Sequence, residues 1–136
     1  MDIKLCYNIS MEKILIADDS QSWLKHHQVA VRQIFGDDIN ITLASSATEA
    51  NEKLYLNSNA PFDIILTDMQ METDYAPLYA GEWLIEQVQK IPAYKNTNII
   101  IVSATPTIRF IAEKYNVEYI PKYNCNDINN YKKVLI

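Results

Sequence analysis

The stretch FDIILTDMQM, residues Phe62–Met71, sets the first structural expectation for this chain. Within it, Ile64–Thr67 are apolar or β-branched without a polar interruption, which is typical of a strand covered on both faces. The strand then meets Asp68. A buried strand that ends on a carboxylate either simply reaches water or presents that carboxylate for chemistry, and the rest of the chain decides between the two.

Short β-branched runs recur along the chain and alternate with segments of helical spacing. The runs are Lys13–Ala17, Ile39–Ala44, Phe62–Thr67, Asn98–Ser103 and Val117–Ile120. Parallel strands need crossover connections, which are usually helices. Five strands alternating with five helices therefore predict an α/β domain with a doubly wound, mostly parallel sheet.

The predicted helices carry apolar residues at steps of three and four. Their stripes are Trp23, His27, Ala30 and Ile34; Ala47, Ala50 and Leu54; Leu84, Val88 and Ile91; Ile108, Ile111, Ala112 and Tyr115; and Ile128, Tyr131 and Leu135. Ser20 is a plausible N-cap, Gly36 closes the first helix, and Pro106 suits a first helical turn. For His26 and His27 we favour a half-buried packing role over metal binding or phosphotransfer.

Composition limits the classes of function. The 136 residues fit one domain, and 49% apolar with 21% charged residues is ordinary for a globular protein. A net charge of −5 disfavours direct nucleic-acid binding. Neither a membrane span nor a secretory signal is expected. Cys6 and Cys125 are far apart and are expected to stay reduced, so we expect a cytoplasmic protein.

Polar side chains follow the predicted strands at the ends where doubly wound folds bind ligands. Asp18 and Asp19 follow the first strand, and Asp68 follows the third. Ser103 ends the fourth strand, and Lys122 follows the fifth. We expect these groups to meet at one edge of the sheet.

This set of groups suits phosphoryl transfer. Three carboxylates gathered together would raise one another's pKa values, and a Mg²⁺ ion would remove that conflict. A hydroxyl and a fixed ammonium can neutralise transferred oxygens, and a carboxylate can be the nucleophile that forms an aspartyl-phosphate.

With these residues in place, the sequence resembles the receiver domains of two-component response regulators. The resemblance rests on the pair Asp18–Asp19, on Asp68, on Ser103–Ala104, on Tyr119 with Lys122, and on the helix start SATEANEKL. It implies a flavodoxin-like, CheY-like fold with a five-stranded parallel sheet in the strand order 2-1-3-4-5. The receiver domain would span residues 12–136, with residues 1–11 as a loosely packed or disordered extension.

The resemblance also implies a role for each site residue. Asp68 would be phosphorylated, and Mg²⁺ or Mn²⁺ would be held by Asp18, Asp19, Asp68 and the backbone carbonyl of Gln70. Ser103 and Lys122 would bind phosphoryl oxygens, and Tyr119 would turn inward as Ser103 moves. Gln70 and Thr105 would tune autodephosphorylation.

The implied partners are a sensor histidine kinase or a histidine phosphotransfer protein, and a downstream protein. The output face would be the fourth helix, fifth strand and fifth helix, and homodimerisation on phosphorylation stays open. The protein would be a stand-alone receiver, without enzymatic activity beyond self-phosphotransfer and slow autodephosphorylation.

Several features depart from the family pattern, including fourth and fifth helices that look short. Glu72 follows Met71, where receivers often have proline. Lys122 precedes Tyr123 rather than proline, so the family's cis peptide after the lysine is not expected, and a cis bond at Pro121 stays open. The loop Met71–Gly81 is longer than usual, and its Glu72, Asp74, Tyr75 and Tyr79 could form a lid, a partner contact or an inert surface.

Other functions remain open on the sequence alone. One alternative is a receiver-like interaction module that is not phosphorylated. A small Mg²⁺-dependent phosphohydrolase is weaker, because such enzymes usually carry a second Asp where this chain has Gln70. A flavin-binding fold is weaker still, because no glycine- or hydroxyl-rich phosphate loop follows the first strand.

Overall fold

A computed structural model describes residues 12–71 and 79–136 of the chain. The strands are β1 (Lys13–Ala17), β2 (Asn40–Ala44), β3 (Ile64–Thr67), β4 (Asn98–Ser103) and β5 (Glu118–Pro121). The helices are α1 (Gln21–Phe35), α2 (Ala47–Leu56), α3 (Ala80–Lys90), α4 (Ile108–Tyr115) and α5 (Ile128–Leu135). Short 3-10 helices cover Pro92–Tyr94 and Lys122–Asn124.

The sheet confirms the predicted topology. Its five strands run in the order β2-β1-β3-β4-β5, and every neighbouring pair is parallel. Ala17 of β1 pairs with Thr67 of β3. The residues that follow these two therefore leave the sheet side by side.

Two helical layers cover the sheet and explain the uninterrupted apolar strands. On one face, α2, α3 and α4 pack on residues such as Leu15, Ile65 and Ile101. On the other face, α1 and α5 pack on residues such as Ile16 and Leu66. Alternate side chains of a strand point to opposite faces of the sheet. Because both faces are covered, the central strands need apolar residues at odd and even positions alike.

Helix ends follow local chemistry. The Ser20 hydroxyl accepts from the Trp23 N–H, 3.3 Å, and caps α1. Gly36 ends α1 with φ of +95°, a conformation that suits glycine. The Ser46 hydroxyl accepts from the Glu49 N–H, 3.0 Å, and caps α2.

Several boundaries differ from the sequence prediction, among them that of β2, which begins at Asn40 rather than Ile39. β3 begins at Ile64 rather than Phe62. The preceding residue, Asp63, donates its N–H to the Lys13 carbonyl and accepts from the Lys13 N–H through its carboxylate. β5 begins at Glu118, because left-handed Asn116 ends α4 and the Val117 N–H still donates to the Ala112 carbonyl. Pro106 precedes α4 rather than starting it. It lies in a turn that is closed by a hydrogen bond from the Ile108 N–H to the Thr105 carbonyl.

Several further expectations can be compared with the described residues. These contain no cis peptide bond, so the bond to Pro121 is trans. No helix among them has the length and apolar character to cross a membrane. Cys125 is buried and free. The N-terminal extension and the loop residues Glu72, Asp74 and Tyr75 lie outside the described residues, whereas Tyr79 is exposed at the start of α3.

Candidate functional site

Three carboxylates converge at the carboxyl ends of β1 and β3. Asp18 and Asp19 follow β1, Asp68 follows β3, and the Asp68 N–H donates to the Ala17 carbonyl, 2.9 Å. One carboxylate oxygen from each of the three aspartates lies within 4.8 Å of the others. The parallel register of the two strands therefore produces the cluster that the sequence predicts.

Asp18 is the most deeply buried member of the cluster, with 1% of its surface exposed. Its Oδ1 accepts from the Ser20 N–H, 2.9 Å. Its Oδ2 is buried and forms an ion pair with Lys122 Nζ, 3.2 Å, without an aligned hydrogen bond among the described residues. Burial raises the pKa of this carboxyl, and the neighbouring Asp68 raises it further, against lowering by the Ser20 N–H and Lys122.

Asp68 is held by its own backbone and by a close helix. Its Oδ1 accepts from the Met69 N–H, 2.7 Å. Burial raises the pKa of its carboxyl, while Lys122 and the N–H groups of Met69 and Gln70 lower it. Gly81 of α3 donates its N–H to the Met69 carbonyl, 3.0 Å. A Cβ at Gly81 would overlap the Asp68 carbonyl oxygen, so the close approach of α3 requires glycine here.

Lys122 supplies the cation of the site. Its Nζ lies 3.1 Å from Asp68 Oδ2, as a hydrogen bond, and 3.2 Å from Asp18 Oδ2, without hydrogen-bond alignment. Burial lowers the pKa of the ammonium, but the carboxylates of Asp68 and Asp18 outweigh that effect and the pKa ends above its ordinary value. The ammonium therefore stays charged at neutral pH.

Trp23 completes the surroundings of the ammonium. Lys122 Nζ lies 4.9 Å from the centroid of the Trp23 ring, in cation–π geometry. The same ring stacks on His27. Sequence reasoning assigned Trp23 only to the apolar stripe of α1, and its position one turn after the acidic pair was the available signal.

Ser103 and Thr105 line a cleft beside Asp68. Ser103 ends β4, is 3% exposed, and its hydroxyl accepts from the Thr105 N–H, 3.2 Å. The Thr105 hydroxyl shares a hydrogen bond with that of Thr107, 3.2 Å. A cleft of about 440 Å³ is lined by Asp19, Asp68, Gln70, Ser103, Ala104, Thr105, Pro106 and Lys122.

Tyr119 is in β5, where it pairs with Ile101. It is half-buried and packs against the core under α2, α3 and α4. The structure thus shows it in a packing role, and the switching role that the resemblance implies stays a prediction.

The donor set fits a divalent cation. Three carboxylates against one ammonium give the cluster a formal charge of −2. The buried Asp18 Oδ2 accepts no aligned hydrogen bond, so its lone pairs could coordinate a cation at this edge. Hard cations such as Mg²⁺ prefer carboxylate and carbonyl oxygens. Gln70 lines the same cleft and can offer its carbonyl.

The sequence analysis predicted the surroundings of two further residues near the site incompletely. His27 was expected to be half-buried, but it is 2% exposed and its Nδ1 lies 2.8 Å from the Tyr131 hydroxyl. The close approach of Gly81 to Asp68 was not foreseen. The signal was present, because Gly36 and Gly81 are the only glycines of the chain.

Comparison with known proteins rests on structure. No protein-family model matches the chain, and no curated protein does. The chain is similar to the bacteriophytochrome response regulator AtBRR, with a TM-score of 0.72 at 13% identity, over 92% of this chain and 90% of that one.

Two other solved structures agree with that similarity. The non-phosphorylated HemR receiver domain from Leptospira biflexa has a TM-score of 0.68 at 22% identity, over 91% and 90% of the two chains. The Mn²⁺-bound form of response regulator Rcp1 has a TM-score of 0.67 at 16% identity, over 90% and 88%. The chain therefore has the fold of the receiver domains of two-component response regulators.

Proposed function

We propose that this protein is a response regulator receiver that accepts a phosphoryl group on Asp68. The observation that carries the proposal is the position of the Asp68 carboxylate. It follows β3 in the cleft, 3.1 Å from the Lys122 ammonium and within 4.8 Å of oxygens of Asp18 and Asp19. A nucleophile, a fixed cation and a metal-binding pair thus stand together.

The donor would be a phosphohistidine on a kinase or phosphotransfer protein. A carboxylate oxygen of Asp68 forms the new O–P bond as the P–N bond breaks, and the departing imidazole nitrogen keeps the electron pair of that bond. The transferred phosphoryl group carries negative charge on its outer oxygens. Lys122 and the Ser103 hydroxyl would bind these oxygens from two sides of the cleft.

Asp18, Asp19, Asp68 and the Gln70 carbonyl would hold Mg²⁺ or Mn²⁺. When bound, the cation neutralises charge on the carboxylates and on the phosphoryl oxygens. The residues of the chain position the reacting carboxylate. The Met69 N–H holds one Asp68 oxygen, and α3 packs against the Asp68 backbone at Gly81.

The proposed consequence is a change of conformation read by another protein. Binding of Lys122 and Ser103 to the phosphoryl group would draw both toward Asp68, and Tyr119 would turn toward the space that Ser103 leaves. Gln70 and Thr105, which line the cleft, would set the rate at which water hydrolyses the acyl phosphate. We place this signalling in the cytoplasm.

Phosphoramidate tests the proposed transfer, because it offers the P–N bond of phosphohistidine in a small molecule. The protein is incubated with phosphoramidate and Mg²⁺ and then treated with hydroxylamine, which converts an acyl phosphate to a hydroxamate. Peptide mass mapping should place the hydroxamate at Asp68. A hydroxamate at another residue would contradict the assignment of Asp68. No hydroxamate with Mg²⁺ bound would favour the interaction module that is not phosphorylated.

The phosphohydrolase alternative predicts a different product. Such an enzyme would release inorganic phosphate from phosphate esters in many turnovers. The proposed receiver would release phosphate from the chosen donor only as fast as its own acyl phosphate hydrolyses. Phosphate release from a panel of esters therefore separates the two functions.

A further inference from the structure

A buried polar chain joins the acidic cluster to the last helix. His27 lies in α1 with 2% of its surface exposed. Its Nε2 is 3.9 Å from Asp18 Oδ2, and its Nδ1 is 2.8 Å from the Tyr131 hydroxyl of α5. One ring therefore stands between the deepest carboxylate of the site and the C-terminal helix.

The two ring nitrogens of His27 face different partners, with Tyr131 next to Nδ1 and Asp18 next to Nε2. Burial raises the pKa of Tyr131, and the neighbouring Cys125 adds to this, so the Tyr131 hydroxyl keeps its proton. A neutral imidazole carries one N–H, on either Nδ1 or Nε2.

Geometry selects the tautomer with the proton on Nε2. If the proton were on Nδ1, the Nε2 lone pair would face the Asp18 Oδ2 lone pairs at 3.9 Å. With the proton on Nε2, Nδ1 accepts from the Tyr131 hydroxyl, and the protonated nitrogen is the one that lies 3.9 Å from the Asp18 carboxylate. The hydroxyl of Tyr131 thus orients a hydrogen-bond donor toward Asp18.

Asp18 Oδ2 needs such a donor when Lys122 is engaged elsewhere. The ammonium pairs with Asp18 and Asp68 together, and the Asp18 oxygen has no aligned hydrogen bond. At 3.9 Å the His27 N–H is beyond hydrogen-bond distance and acts on this oxygen as a nearby dipole.

We propose that His27 is a positioning residue of the cation site, which holds the Asp18 carboxylate through an N–H that the Tyr131 hydroxyl orients. This inference rests on the proposed function, since that function assigns a divalent cation to Asp18. Carboxylate ligands are commonly held by such partners outside the metal's own ligands. Cation binding at the sheet edge is then coupled to the packing of α5.

Coupling of this kind is reciprocal. If an intact contact between His27 and Tyr131 strengthens cation binding, the bound cation strengthens that contact by the same free energy. Since α5 belongs to the face expected to signal, this provides a route from the acidic cluster to α5 that does not pass through Ser103 and Tyr119.

The test uses Mg²⁺ alone as the probe, with calorimetric titration of the folded protein. Tyr131→Phe keeps the ring and removes only the hydroxyl. His27→Leu removes the donor, and His27→Gln restores one through its amide. Tyr94→Phe is the matched control, because Tyr94 is 2% exposed and its hydroxyl donates to the Leu54 carbonyl, 2.6 Å, in the other helical layer.

We expect Tyr131→Phe and His27→Leu to weaken Mg²⁺ binding by roughly tenfold or more, the usual effect of losing an outer partner. His27→Gln should recover part of the affinity, and Tyr94→Phe should bind like the wild type. Nitrogen NMR of the wild type should show His27 protonated on Nε2, with its shift changing on Mg²⁺ addition and the tautomer preference reduced in Tyr131→Phe.

Unchanged Mg²⁺ affinity in both Tyr131→Phe and His27→Leu would overturn the inference, as would an equal loss in Tyr94→Phe. Phosphorylation of the wild type is measured in parallel with phosphoramidate. If the wild type is phosphorylated and the variants bind Mg²⁺ normally, only the inference about His27 is contradicted. If the wild type binds Mg²⁺ but is not phosphorylated, the proposed function is contradicted instead.

Discussion

Lys122 Nζ lies 3.1 Å from Asp68 Oδ2, and the same ammonium lies 3.2 Å from Asp18 Oδ2. One cation therefore balances carboxylates that leave two different strands. A phosphoryl group on Asp68 would compete for this ammonium, and Asp18 would then depend on the bound metal and on its remaining neighbours. The position of Lys122 is thus the feature that phosphorylation would change most directly.

Replacing Lys122 separates transfer from switching. Lys122→Ala should still accept phosphate from a small donor, because the nucleophile and metal ligands remain, but roughly 100- to 1,000-fold more slowly. It should not show the conformational response, because nothing ties β5 to the phosphoryl group. Hydrogen exchange of α4, β5 and α5 before and after phosphorylation measures this.

Lys90→Ala is the control for that experiment, since Lys90 is exposed at the end of α3. It should behave like the wild type in both assays. A Lys122→Ala protein with the full exchange response would show that the ammonium is not part of the switch.

Metal-free stability should depend on the ionisation of Asp68. Its pKa in the folded protein lies above the ordinary 3.8, chiefly because of burial. The native state therefore binds more protons than the unfolded state between 3.8 and the raised pKa, so this group makes stability fall as pH rises through that window. Above the window, the ionised carboxylate opposes folding.

Asp68→Asn should accordingly have a higher Tm than the wild type at pH 7 in EDTA. The difference should shrink as the pH falls through the window and vanish below 3.8, where Asp68 is protonated in both states. Saturating Mg²⁺ should stabilise the wild type more than the variant. Asp38→Asn, at an exposed position, controls for general charge effects, and an equal rise there would contradict the assignment.

Gly81 tests the close contact between α3 and Asp68. An added Cβ would overlap the Asp68 carbonyl oxygen and lie 2.7 Å from the Met69 Cα, so the helix or the loop must move. Gly81→Ala should lower the free energy of unfolding by about 1–3 kcal/mol, as overpacking usually does. It should also weaken Mg²⁺ binding, because Asp68 moves. Denaturant unfolding and Mg²⁺ titration measure the two effects.

Gly36→Ala is the matched control. Gly36 has φ of +95° but open space around its Cβ position, far from the cluster at the end of α1. Strained backbone should lower its stability by ~1–2 kcal/mol while leaving Mg²⁺ affinity unchanged. Comparable loss of affinity in both variants would mean that Gly81 acts through global stability.

Trp23 should report on Lys122 by fluorescence. The ammonium lies 4.9 Å from the Trp23 ring centroid, so its movement toward a phosphoryl group changes the charge over the indole. The other tryptophan, Trp83, is 39% exposed on α3. Trp83→Phe should keep the emission change that accompanies phosphorylation, and Trp23→Phe should lose it. The opposite pattern would place the moving charge elsewhere.

The sheet could be predicted from the sequence because strands and helices are marked by local patterns of apolar residues. The apolar run Ile64–Thr67 and the helices between strands determine a parallel order, and Asp18, Asp19, Asp68 and Lys122 come together as the register requires. Boundaries were less predictable, since Asn116 ends α4 and Asp63 precedes β3 through local conformations and contacts that no periodicity shows.

The surroundings of the cluster could not be read from the pattern. His27 and Tyr131 lie 104 positions apart, and Trp23 meets Lys122 only after α1 and β5 are placed. In the sequence, each of His27, Tyr131 and Trp23 belongs to the apolar stripe of a helix, and in the structure each does pack in that stripe. Polar atoms on such residues find partners only when layers pack, so their roles follow from tertiary structure.

The central claim is phosphorylation of Asp68, and intact mass after incubation with acetyl phosphate and Mg²⁺ tests it most directly. We predict a gain of one phosphoryl group in the wild type, with no gain in Asp68→Asn or in the presence of EDTA. An unmodified wild type that binds Mg²⁺, or a modified Asp68→Asn, would contradict the claim.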